Sequence, residues 1–285
     1  MNLHKSDTAR SRGARYRPTM LERFKTLVVA RSRQTSPFAL ASTALGLLVA
    51  LGATLVFAGV SEDVIEHNGA ATADPQRLAW IAHHRSATLV SGARVLNDVG
   101  SVAVVLIAAI LISALLWWRR VPLGAAITPI VAVVSAGAFA AAIKLLVDRS
   151  RPSAAYQLVA ESDPSFPSGH ATGSTALGVS AAVIIAIYLL RRPLARIAVL
   201  AFGALVPIAV AASRLELGVH WPTDVIAGLA LGATVALATV AVSLWISTTT
   251  DTPTRHVAPR RLHRVVARLR TPRGAGGVNL SGATG

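Results

Sequence analysis

The chain has 285 residues, 53% of them hydrophobic, and a positive mean hydropathy, which excludes an ordinary soluble globule and points to one integral membrane domain. Cysteine is absent, so disulfides, thiolate nucleophiles and cysteine-ligated metals are ruled out. The formal charge of +15 comes mainly from the two tails and two short loops, not from a clustered basic module, and nucleic acid is not an expected partner.

Residues 1–37 form a basic tail with nine Lys or Arg. Within it Met20, Leu21, Phe24, Leu27 and Val28 recur at helical spacing, which reads as a short amphipathic helix on a membrane surface or as a solvated tail. No apolar run near the start is long enough for a signal-peptide core. Six apolar segments follow, at 38–60, 101–118, 123–143, 170–190, 194–212 and 225–247, each near the ~20 residues that cross a bilayer as a helix. The expected fold is therefore all-α: a polytopic membrane protein with six transmembrane helices in a bundle. Trp117 and Trp118 close the second segment as an interfacial aromatic pair. Pro129 and Pro207 fall inside the third and fifth segments and predict kinks there.

Six crossings put both ends of the chain on one side. Arg119 and Arg120 fill the second connection, and Arg191, Arg192 and Arg196 surround the fourth. These share a side with the basic tails, whereas the loops 61–100, 144–169 and 213–224 are mixed in charge. Since Lys and Arg accumulate on the cytoplasmic side, both tails are expected in the cytoplasm of a plasma (inner) membrane, with the three mixed loops outside.

The first outer loop has a helix-start signal at Asp74 and Pro75 and reads as a surface helix. His67, His83 and His84, which have no partners at ligand spacing, read as surface histidines. Beyond the last segment, Leu262, Val265, Val266 and Leu269 make the apolar stripe of a basic amphipathic helix suited to anionic lipid headgroups. The expected division is a cytoplasmic tail over 1–37, a membrane domain over 38–247 and a second cytoplasmic tail over 248–285, with a disordered end.

Three clusters carrying chemistry fall on the outer side. Lys144 through Pro152 places an ammonium and a guanidinium together at a membrane exit, which suits an anion. Phe166-Pro167-Ser168-Gly169-His170 opens the fourth segment with a proline in the first turn; its small residues leave the backbone N–H groups of a helix start open to phosphate oxygens. Ser213 through Asp224 joins Arg214, His220 and Asp224. Pro222 is suited to the first position of a helix, which puts Asp224 in the first turn, four residues from the imidazole it would orient. Taken alone, that third cluster reads equally as a helix cap. Arg149 and Glu216, beside these motifs, read as solvated loop charges. Asp148, Glu161 and Asp163 do not form a spaced ligand set with the histidines, so no metal and no cofactor are expected.

In this order and spacing, the three clusters resemble the signature of the phosphatidic acid phosphatase type 2 superfamily, which includes bacterial lipid phosphate phosphatases, undecaprenyl-pyrophosphate phosphatases and vanadium haloperoxidases. The resemblance implies that His220 attacks phosphorus, Asp224 holds its other ring nitrogen, and His170 protonates the leaving oxygen and later activates water. It implies that Lys144, Arg151, Arg214, Ser168 and the Gly169 N–H bind the phosphoryl oxygens. The function expected is a hydrolase of a lipid phosphate or diphosphate: a polyprenyl diphosphate, phosphatidic acid or phosphatidylglycerol phosphate. A lipid phosphotransferase on the same site and a non-catalytic scaffold for anionic lipid are the alternatives.

Overall fold

A computed structural model describes residues 37–250. The tail segments expected to form amphipathic helices lie outside these residues. Nine α-helices follow in order: α1 (Pro37–Ile65), α2 (Asp74–His83), α3 (Ala87–Val99), α4 (Val102–Trp118), α5 (Leu123–Ala126), α6 (Thr128–Val147), α7 (Gly169–Tyr188), α8 (Pro193–Glu216) and α9 (Pro222–Thr250). Among the described residues there is no strand.

Five helices, α1, α6, α7, α8 and α9, are long and apolar enough to cross a bilayer singly, and the α3–α4 pair, bent by 56°, makes a sixth when counted as one broken span. The protein is thus an all-α polytopic membrane protein. Each expected apolar segment finds a helix, but two boundaries have causes that periodicity does not show. Pro129 does not kink the third span: it occupies the first turn of α6, where its missing N–H costs nothing. Residues 123–126 before it form a separate turn, so the span starts later than the apolar run and continues to Val147. Pro207, by contrast, does lie inside α8.

The second span breaks at Gly100 and Ser101. A side chain at Gly100 would meet Val210 of α8 at 2.3 Å, and Ser101 restarts the helix by accepting a hydrogen bond from the Val104 N–H. The amphipathic α3 that precedes the break is not apparent as a separate helix in the sequence. Its C-terminal turn brings Asn97 over the end of α8.

α7 and α9 form the centre of the bundle, with α6, α8 and α1 around them. Their backbones approach closely because two glycines of α9 face α7. A Cβ at Gly228 would lie 2.7 Å from the Ser168 carbonyl, and one at Gly232 would lie 2.5 Å from the Thr172 carbonyl. Small residues at a helix contact are the usual means of packing in lipid, where apolar side chains gain little by leaving the acyl chains. The buried hydroxyls of Thr172, Ser174, Thr175 and Ser180 donate to carbonyls one turn back along α7, so these four groups are met within the helix. Large apolar side chains such as Leu45, Leu48 and Leu55 of α1 point outward, as a lipid-facing surface requires. His67, His83 and His84 are exposed, in keeping with the surface reading.

Candidate active site

The turn between α8 and α9 builds the centre. α8 ends at Glu216, and Gly218, at φ +70°, reverses the chain; a Cβ there would lie 2.1 Å from the Tyr156 carbonyl. Any other residue would be strained and obstructed at that point. Pro222 then starts α9, as its sequence position predicts. In the first turn Asp224 turns back, and its Oδ2 accepts from the Trp221 N–H at 2.9 Å and faces His220 Nδ1 at 3.3 Å. Both His220 and Asp224 are fully enclosed.

A carboxylate only accepts, so the His220 proton sits on Nδ1 and the Nε2 lone pair is the reactive end. Nε2 lies 3.3 Å from Arg151 Nη1, which donates towards it. Burial pushes the His220 pKa down to about 4 against the opposing pull of Asp224, so the ring is neutral near pH 7. A neutral, oriented imidazole is the form needed for attack on an electrophile.

Asp224 is itself held from behind. Arg149 Nη1 donates to Asp224 Oδ1 at 2.5 Å and to Thr223 Oγ1 at 2.8 Å, while Nη2 donates to Asp74 Oδ2 at 2.8 Å. Asp74 is fully buried and also accepts from the Thr223 N–H at 3.1 Å and from its hydroxyl. The expectation of a solvated Arg149 is therefore overturned: the guanidinium is a mostly buried bridge between two carboxylates, stacked 5.7 Å from the Trp221 ring. Its planar fork supplies two parallel donors, which an ammonium lacks. Glu216 is not freely solvated either, since its Oε1 is buried, with no hydrogen-bond partner among the described residues.

In front of His220, the predicted phosphate-binding residues converge. Lys144, in the last turn of α6, donates to the Pro164 carbonyl and pairs with Asp163 at 2.9 Å. Arg151 donates to the Val219 carbonyl through Nη1 and to Asp163 Oδ1 through Nη2, each at 2.7 Å. Arg214, wholly buried in the last turn of α8, donates to Asn97 and, at 2.5 Å, to Glu161. His170, the second residue of α7, lies in the electrostatic field of Arg214, Glu161 and His220, against Gly100 and Asn97.

Pro167 is not in the first turn, as its position suggested. Ser168 is the N-cap, and α7 begins at Gly169, whose N–H is one of the free donors of a helix start. Ser168 caps nothing with its side chain: its Oγ is buried without a partner among the described residues, as is Arg214 Nε. Two orphaned polar atoms beside three cations fit an anion with several oxygens. Among the described residues no three His, Asp or Glu side chains gather at metal-ligand spacing.

A sequence profile of the PAP2 superfamily matches residues 125–247. That segment is a PAP2 superfamily domain. The decaprenylphosphoryl-5-phosphoribose phosphatase of Mycobacterium tuberculosis is 40% identical over 115 residues, covering 36% of this chain and 55% of that relative. The Mycolicibacterium smegmatis protein of the same description is 45% identical over 103 residues, covering 33% and 50%. The chain thus spans about half the length of the curated relatives it matches. Among solved structures, the transmembrane PAP2 type phosphatidylglycerolphosphate phosphatase from Bacillus subtilis has the same fold, with a TM-score of 0.60 at 21% identity over 73% of this chain and 98% of that one.

Every residue expected at the site lies inside the matched PAP2 segment. Two of those the sequence reading missed do not: Asp74, which anchors Arg149, and Asn97, which bonds Arg214. Asp74 was legible only as a helix start, and Asn97 had no signal. Arg149 had one available, since a third cation beside Lys144 and Arg151 at a membrane exit needs counter-charge.

Proposed function

We propose that the protein is a membrane phosphatase acting on a lipid phosphate or diphosphate, with His220 as nucleophile. The observation that carries this reading is the His220 ring: buried, neutral, tied to Asp224 through Nδ1, with Nε2 turned towards a cradle of three cations. His220 Nε2 attacks phosphorus as the bond to the leaving oxygen breaks, and His170 gives that oxygen its proton. His170 then takes a proton from water, the hydroxide attacks the phosphohistidine, and inorganic phosphate leaves with His220 restored. Lys144, Arg151, Arg214, the Ser168 hydroxyl and the Gly169 N–H stabilise the equatorial oxygens, where charge spreads in the transition state. Asp224 stabilises the ring as positive charge develops on it.

The substrate class follows from place and relatives. The site lies at the ends of spans, so a phosphate on a membrane-anchored chain reaches it from the bilayer. The two mycobacterial relatives make a phosphorylated prenyl-phosphoryl sugar the first substrate to test. The catalytic unit is residues 38–247, with the site outside and the basic segments on either side meeting anionic lipid in the cytoplasm. Reporter fusions after residues 66 and 250 test that orientation, and an outward fusion at 250 would overturn it.

The main experiment offers purified protein in mixed micelles a panel of prenyl and glycerolipid phosphates and follows inorganic phosphate. Release by the wild type and its loss by several orders of magnitude in His220→Ala are expected; undiminished release by the variant refutes the nucleophile.

A further inference from the structure

Two carboxylates of the loop between α6 and α7, Glu161 and Asp163, have no part in the reaction scheme. Between them they engage all three cations of the cradle. Asp163 bridges Lys144 Nζ at 2.9 Å and Arg151 Nη2 at 2.7 Å; Glu161 pairs with Arg214 Nη2 at 2.5 Å and lies 3.7 Å from Arg151 Nη2. Both are ionised near neutral pH. Partial burial raises the Asp163 pKa, but Lys144 and Arg151 outweigh it and hold the group at about 2. Glu161 is likewise lowered overall, its desolvation outweighed by Arg214 and Arg151.

The partners differ in how firmly they are held. The Arg214 and Arg151 side chains are 0% and 8% exposed, whereas Glu161 and Asp163 are 25% and 51% exposed. Lys144 and Arg214 are set in the last turns of α6 and α8, and Arg151, on the same loop as the acids, is anchored to the Val219 carbonyl; the two acids are the more exposed partners of each pair. Returning an exposed carboxylate to water costs little, but a buried guanidinium left without counter-charge is expensive. A ligand entering the cradle therefore has to replace the two negative charges it displaces.

We propose that Glu161 and Asp163 are internal competitors for the cradle that decide which phosphates enter it. A terminal phosphate carries about two negative charges near neutral pH and presents three acceptor oxygens. It restores the charge and the contacts that the two carboxylates supplied. A phosphodiester brings one charge and two free oxygens, and leaves a buried cation unmatched. The phosphodiester headgroups of a bilayer surround the site, so the carboxylates keep it clear for the phosphomonoester or diphosphate end of a substrate. This inference rests on the phosphatase reading and adds the charge that the same site selects.

The test uses soluble probes, so that it does not depend on turnover. Full-length wild type, Glu161→Gln, Asp163→Asn and the double variant, in detergent, are titrated calorimetrically with inorganic phosphate and with dimethyl phosphate, a monoanionic diester. Inorganic phosphate should bind the wild type and dimethyl phosphate should not. In the double variant dimethyl phosphate should gain affinity on the order of tenfold or more, with each single variant part-way, because the displaced carboxylates no longer compete. If dimethyl phosphate binds wild type and variants alike, or binds none of them, the proposal is overturned. If the binding pattern holds while no lipid phosphate is hydrolysed, the phosphatase reading alone fails.

Discussion

Arg149→Ala is the most informative perturbation of the proposed catalytic centre. The substitution removes two donors to Asp224 and Thr223 and one to Asp74, and leaves two fully buried carboxylates with no cation between them. Removing one partner from a buried ionic network costs about 3–5 kcal/mol; the Arg149 side chain is 17% exposed, so about 3 kcal/mol of stability is the expected loss. The kinetic effect is separate. Without Arg149 the Asp224 carboxylate is held through Oδ2 alone and can shift, and misplacing a catalytic group by about 1 Å costs on the order of 100-fold.

The assay is steady-state phosphate release from mixed micelles, with the melting temperature measured on the same preparations. We expect kcat to fall by about 100-fold while KM changes by less than about threefold, because the variant leaves the phosphate cradle intact. Arg149→Lys should recover only part of kcat, since one ammonium does not span Asp74 and Asp224 as the guanidinium fork does. A folded Arg149→Ala protein with kcat within about twofold of wild type refutes the reasoning, as does a loss confined to KM.

Three further outcomes follow from single contacts. Ser168→Ala removes a buried hydroxyl that has no partner among the described residues; KM should rise by roughly tenfold while the melting temperature stays level or increases, because an unmet polar group is deleted. The His220 imidazole should titrate near pH 4 rather than 6.5, observable as the 15N-histidine signal absent from His220→Ala. Its folded-state pKa is depressed, so its contribution to stability is complete above about pH 6.5 and is lost as pH falls towards 4; a midpoint near 6.5 contradicts the buried neutral ring. Gly228→Leu places side-chain atoms where a Cβ alone would already lie 2.7 Å from the Ser168 carbonyl. Separation of α9 from the start of α7 should abolish activity and lower stability by about 1–3 kcal/mol, whereas Gly52→Leu, at a position open on all sides, should do neither.

The spans were legible because the requirement they meet is one-dimensional: about 20 apolar residues must follow one another to cross a bilayer. Pro222 and Asp224 were legible because helix starts obey local rules. The break at Gly100 was hidden, since its cause is Val210, over a hundred residues away, and Pro129 was misread because a proline in an apolar run looks the same at a helix start as in its interior. Arg149 is the sharpest case. In the sequence it is one more arginine in a polar loop, and only the convergence of Asp74 on α2 and Asp224 on α9 makes it a buried bridge.

The sequence alone determined the chemical inventory, the membrane-spanning architecture and the three motif clusters, because residue type, apolar length and helix-start rules act over a few neighbours. Tertiary structure alone decided which charges are paired. Glu161 and Asp163 read as unconnected loop acids until the fold sets Lys144 of α6, Arg214 of α8 and Arg151 of their own loop around them. Whether a charge is solvated or held depends on what lies within a few ångströms across the fold, and that distance is not a function of separation along the chain.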